Sequence, residues 1–186
     1  PAFFMYDSWV QSRGTQLREG VPDIAWTTEY GVLCRDLPNS HAEIGTTWAS
    51  AIVTFPTLAA HLLGQLLKFF GPDRVVFGSD AVWYGSPQWQ IEALWRFQIP
   101  EEMQKRYGYP ALTPTIKRKI LGLNSAKLYG IKVASNLGTQ FKPVPRDYAS
   151  KFTPEFRRMM EVDKPIGAVD ELDRMRERYA AAGGQP

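Results

Sequence analysis

Between Thr54 and Phe70 the apolar positions are Phe55, Leu58, Ala59, Leu62, Leu63, Leu66, Leu67 and Phe70. Spacings of three and four place them on one stripe of a helix. Thr54 stands where an N-cap belongs, Pro56 suits the first turn, and Gly71 with Pro72 ends the run. Val75, Val76 and Phe77 follow as an unbroken apolar run, the pattern of a strand buried on both faces. Gly78, Ser79 and Asp80 close it. Helix, short break and buried strand make an αβ unit of a parallel sheet. His41, Ala42, Glu43 and Ile44, ended by Gly45, read as a weaker strand, and Ile24, Ala25 and Trp26 as another. The expectation is that residues 42–44 and 75–78 are parallel neighbours, with the helix as their crossover.

Further along, Ser86 is placed to cap a helix with Pro87 at its first position and Ile91, Leu94 and Trp95 following. After Tyr109 and Pro110 come two helices, 115–121 and 124–129. Asn124 is the expected N-cap of the second and Gly130 its stop. From 135 to 165 the periodicity fades into an extended, proline-containing segment. A last helix, 168–181, carries a narrow stripe of Ala168, Leu172, Met175 and Tyr179 among charges, suited to docking by one face. The division is a body over residues 1–134 and an extended segment with a docking helix over 135–186.

Composition narrows the classes. A hydrophobic content of 44% is enough for a buried core. The net charge of +3 comes from Lys and Arg scattered among Asp and Glu, which leaves no basic patch for nucleic acid. No apolar run approaches the ~20 residues of a membrane span. One cysteine, Cys34, excludes an internal disulfide and reads as a small buried hydrophobe. The opening PAFFMYDSW is rich in core-type residues and has no initiator Met, so it reads as the interior of a longer sequence.

The chemistry concentrates around Asp80. Parallel sheets gather functional groups at the C-terminal ends of their strands. A carboxylate there can ligate a metal or take a proton from a metal-bound water, or it can simply cap a turn. Trp83 and Tyr84 follow on the same loop and are candidate substrate-binding residues. Glu43, inside a strand, needs a partner. Of the two histidines, His61 is expected on a helix surface, and His41 near the start of its strand, away from the site.

VVFGSD, then VWYGSPQWQIEALWRFQIPEEMQKRYGYPALT, then KRKILGLNSAKLYGI resembles the C-terminal part of the amidohydrolase superfamily. The branch is that of amidohydrolase-related proteins, which also contains aminocarboxymuconate-semialdehyde decarboxylase. The resemblance runs from about Ile24 to Ile131, and more loosely through the last helix. It implies the C-terminal part of a (β/α)8 TIM barrel, an α/β fold, with a divalent metal that is usually zinc. The ligands it implies are an HxH pair on the first strand, a His on a middle strand and an Asp on the last. Only that Asp has a counterpart here, Asp80, as metal ligand and catalytic carboxylate. No HxH occurs in the sequence, and a barrel takes about 250 residues. The chain therefore reads as part of an enzyme, incomplete and inactive by itself.

The implied activity is hydrolysis, a metal-activated water attacking a carbonyl carbon of a small-molecule substrate. The alternatives are decarboxylation at the same kind of site, and a non-catalytic barrel remnant that serves packing or oligomerisation. A homo-oligomer or a complementing N-terminal part is the expected protein partner, and the cytoplasm the expected compartment.

Overall fold

The structure is a computed structural model, which describes residues 2–81, 85–133 and 168–184. In chain order the elements are α1 (Ala2–Ser12), β1 (Leu17–Arg18), β2 (Val21–Pro22), α2 (Trp26–Cys34) and β3 (Ala42–Glu43). Then come α3 (Gly45–Thr54), α4 (Pro56–Phe70), β4 (Val75–Val76), α5 (Gln88–Arg96) and α6 (Glu101–Tyr107). Last are α7 (Pro114–Arg118), a π turn (Lys119–Leu123), α8 (Asn124–Leu128) and α9 (Ala168–Ala181). None of the described helices is long and apolar enough to cross a membrane.

The long apolar helix is α4, and it is the centre of the molecule. Its periodicity predicts one apolar stripe. In the structure Ala60, His61, Gly64 and Gln65 are buried as well as the stripe, because α2, α3 and β4 pack around it. Thr54 is not its cap: it closes α3, and Phe55 takes the N-cap position with Pro56 at the first turn. Gly71 ends the helix at φ 74°, a left-handed conformation that glycine adopts without strain.

The expected strand pair is present. β3 and β4 run parallel in the register Ala42 to Val75 and Glu43 to Val76. The Ala42 N–H donates to the Arg74 carbonyl at 2.8 Å, and the Ile44 N–H to Val76 at 3.2 Å. Two helices, α3 and α4, make the crossover instead of one. These two strands form one two-stranded sheet, and β1 with β2 forms another. A barrel is not seen among the described residues.

The strand expected at 24–26 is a correction. The strand lies earlier, at Val21–Pro22, in an antiparallel hairpin with Leu17–Arg18. Glu19 and Gly20 both have positive φ, 52° and 77°, as a tight two-residue hairpin turn requires. The Ile24 N–H is then taken by the Thr28 hydroxyl at 2.9 Å, and Ala25 turns at φ 58° into α2. At the second expected cap, Pro87 occupies the N-cap of α5, while the Ser86 hydroxyl still accepts from the Gln88 N–H at 3.3 Å.

Asn124 is a second correction. It is not an N-cap: Leu123 holds that position in helical conformation, and α7, the π turn and α8 run on as one rod. Its side-chain amide donates to two backbone carbonyls, Pro72 at 2.8 Å and Val75 at 2.7 Å. Within the π turn the Ile120 carbonyl accepts from the Phe77 N–H at 2.9 Å. The rod is thus fastened along the edge of β4 that faces away from β3. Asn124→Ala should leave both carbonyls without this partner. At about 1–3 kcal/mol for an unmade buried bond, the expected loss is roughly 2–4 kcal/mol in chemical denaturation. A loss under half a kcal/mol would show that water replaces the amide.

Gly130, at φ 66°, ends the rod as expected. The Ile131 N–H reaches Ala126 at 2.8 Å and the Gly130 N–H reaches Lys127 at 3.3 Å, the paired bonds of a Schellman stop. α9 docks through Tyr179, which is fully buried. Its hydroxyl accepts from the Leu58 N–H at 3.1 Å, and its ring stands edge-on to Phe55. The side chains of Leu172 and Met175 lie outside the described residues.

Candidate active site

Because β3 and β4 are parallel, their C-terminal ends open on the same side. At one end stands Glu43, the last residue of β3. Beyond the other, after Phe77, Gly78 and Ser79, stands Asp80. The chain turns at Asp80 with φ 47°, one of four non-glycine residues described at positive φ. Asp tolerates this region better than bulkier residues do.

The Asp80 carboxylate reaches the N-terminus of α3. Its Oδ2 accepts from the Thr46 N–H at 2.9 Å and from the Thr46 hydroxyl at 2.5 Å. The Thr46 hydroxyl, and after it the Thr46 N–H, hold the carboxyl below its ordinary range, and a helix N-terminus favours negative charge. Asp80 is therefore ionised at neutral pH. Among the described residues it caps one structural element, the N-terminus of α3.

Glu43 converges on the same place. Its Oε1 accepts from the Gly45 N–H at 2.8 Å. A Cβ on Gly45 would lie 2.7 Å from Asp80 Oδ2 and 2.9 Å from each Glu43 oxygen. One on Gly78 would collide with the Glu43 carboxylate. Bare backbone at 45 and 78 is what lets the two acids share the strand ends. Behind them the loop is held by Gln90, fully buried, whose side-chain amide donates to the Ser79 carbonyl at 2.9 Å. The Trp48 indole N–H donates to the Gln90 carbonyl at 3.3 Å.

Trp83 and Tyr84, the candidate substrate-binding residues, lie outside the described residues. His41 sits before β3, its carbonyl accepting from the Tyr30 hydroxyl at 2.9 Å. His61 corrects the expectation of a surface position. It is buried in α4, its Nδ1 2.9 Å from the Tyr109 hydroxyl and its ring among Trp9, Tyr107 and Tyr109. Burial, with a smaller contribution from the Arg106 charge, pushes its pKa down to about 3. The pattern missed this because it marks apolar positions, and a neutral imidazole among aromatics behaves as one. It also missed Thr46 and Gln90. The available signal for Thr46 was its place directly after a strand-ending glycine, where a new helix starts.

No group of three or more His, Cys, Asp and Glu side chains gathers among the described residues. A catalytic zinc normally takes three protein ligands, with imidazole prominent. Two carboxylates without imidazole do not fit that site by themselves.

A family model described as Amidohydrolase matches residues 20–131. No curated protein and no solved structure matches the chain. The matched span is more than half of the sequence and holds the whole constellation, from Glu43 through Thr46 and Asp80 to Gln90. The chain belongs to the amidohydrolase family.

Proposed function

We propose that the chain works in a metal-dependent hydrolase of the amidohydrolase type, with Asp80 as the working carboxylate. The observation that carries this is the place of Asp80, ionised and oriented at the open end of a parallel strand pair. The family commonly uses divalent metals, and zinc is the metal proposed, its remaining ligands coming from outside the described residues. The chain's own residues do three things. Thr46 fixes the Asp80 carboxylate. Asp80, charged at neutral pH, can take a proton from a water beside it. Glu43 adds a second carboxyl group at the strand ends, whose oxygens can attract a cation.

Decarboxylation at the same site is the second reading, since the family resemblance covers both. Trp83 and Tyr84 are proposed to line the substrate's side of the pocket. The proposed partners are a small-molecule substrate and either a second copy of the chain or a complementing N-terminal part.

The test is a metal-removal experiment on the active enzyme. Turnover is measured on a panel of carboxamides, esters and unsaturated carboxylic acids. Prolonged treatment with a chelator should abolish it, and added zinc should restore it. Release of CO2 assigns decarboxylation, and release of amine or alcohol assigns hydrolysis. Full activity in the chelator-treated, metal-depleted protein would sink the metal-dependent reading.

A further inference from the structure

Both bonds that Asp80 accepts from the described residues fall on one oxygen, Oδ2, and both come from Thr46. Among the described residues Oδ1 accepts none. A carboxylate on an exposed turn is free to rotate about χ1 and χ2 unless something holds it. Here the backbone N–H and hydroxyl of one residue grip the same oxygen, which fixes both its position and the rotation of the group. Thr46 is itself well placed to do so. It follows Gly45 in the first turn of α3, where N–H groups have no partner inside the helix. The Trp48 indole and Gln90 fasten α3 to the loop that carries Asp80, so donor and acceptor cannot drift apart.

We infer that Thr46 is a positioning residue for the proposed reaction: it occupies Asp80 Oδ2 and presents Oδ1 as the oxygen that works. This rests on the reading of Asp80 as the working carboxylate. Thr46 touches no reacting atom. It acts through Asp80, by limiting the carboxylate to one orientation.

Two substitutions separate positioning from mere helix capping. Thr46→Val keeps the shape and the backbone N–H but removes the hydroxyl. Thr46→Ser restores a hydroxyl on the same Cβ. The first readout is structural and uses the chain as purified: the Hα–Hβ couplings of Asp80, by NMR, beside a thermal melt. Parent and Thr46→Ser should show one χ1 rotamer, and Thr46→Val an average over several. The second readout is kinetic and uses the active enzyme. Loss of a hydrogen bond to a charged group corresponds to about tenfold or more, so kcat in Thr46→Val should fall about tenfold with KM little changed. Thr46→Ser should stay within about twofold of the parent. A single Asp80 rotamer in Thr46→Val, or averaged couplings with unchanged kcat, would overturn the inference. A fully active Asp80→Asn variant would instead remove the reading beneath it, whatever the couplings show.

Discussion

Asp80→Asn in the active enzyme is expected to lower kcat by at least about 10²-fold, the lower end of what a positioned general base contributes, with KM changed much less. Asn is the informative replacement for three reasons. Its amide oxygen can still accept from the Thr46 N–H and hydroxyl, so the cap on α3 survives. Asn tolerates the left-handed backbone that Asp80 occupies at φ 47°, whereas Ala would add strain there. What Asn lacks is the charge and the ability to take a proton. The measurement is steady-state kinetics beside a thermal melt. A variant that melts within a degree or two of the parent and turns over within a few-fold of it would reduce Asp80 to a helix cap. A variant that is inactive because it is unfolded would show in the melt, and the milder Thr46→Val then reports on the same carboxylate.

Much of the placement of this candidate site is legible in the order of residues along the chain. The run of Val75, Val76 and Phe77 marks a buried strand, and Asp80 three residues beyond it follows from the rule that parallel strands carry chemistry at their C-terminal ends. The pairing with residues 42 and 43 follows from strand, helix, strand order. Features that depend on residues meeting at long range are not legible in the same way. Asn124 looks locally like an N-cap, and only the docking of its rod against β4 gives it two carbonyls to bind. Thr46 and Asp80 are 34 residues apart, and no periodicity encodes their bond. His61 shows the same limit from the other side. A polar letter in an apolar run suggests exposure, but Trp9 from α1 and Tyr109 from beyond α6 cover it. The hairpin before α2 turns on the backbone at Glu19 and Gly20, a signal weaker in the sequence than the apolar run at Ile24.

Stability should fall on acidification below pH 6.5 because of His61. In the folded chain the imidazole is held neutral, its pKa lowered to about 3 by burial first and by the Arg106 charge second. In the unfolded chain it returns to an ordinary value near 6.5. Between those two values the unfolded state binds the extra proton, so stability rises with pH in that window and is complete above it. Each pH unit below 6.5 then removes about 1.4 kcal/mol, or roughly 2.7 kcal/mol by pH 4.5. Against a total of about 5–15 kcal/mol for a domain, that loss is large. It corresponds to a fall in Tm of roughly 5–10 °C for a chain of this size. Asp80 and Asp73, whose carboxyls are held below their usual range by Thr46 and Lys119, act in the same direction. Their share is lost only as pH falls through the low folded pKa values, below about 4. His61→Gln removes the titrating group while offering Tyr109 an amide partner in place of Nδ1. Thermal melts of parent and variant from pH 7.5 to 4.5 should show the parent declining and the variant nearly flat, whatever the variant's absolute Tm. Parallel declines would mean that His61 gains its proton without unfolding, and that the buried cluster with Trp9, Tyr107 and Tyr109 admits water.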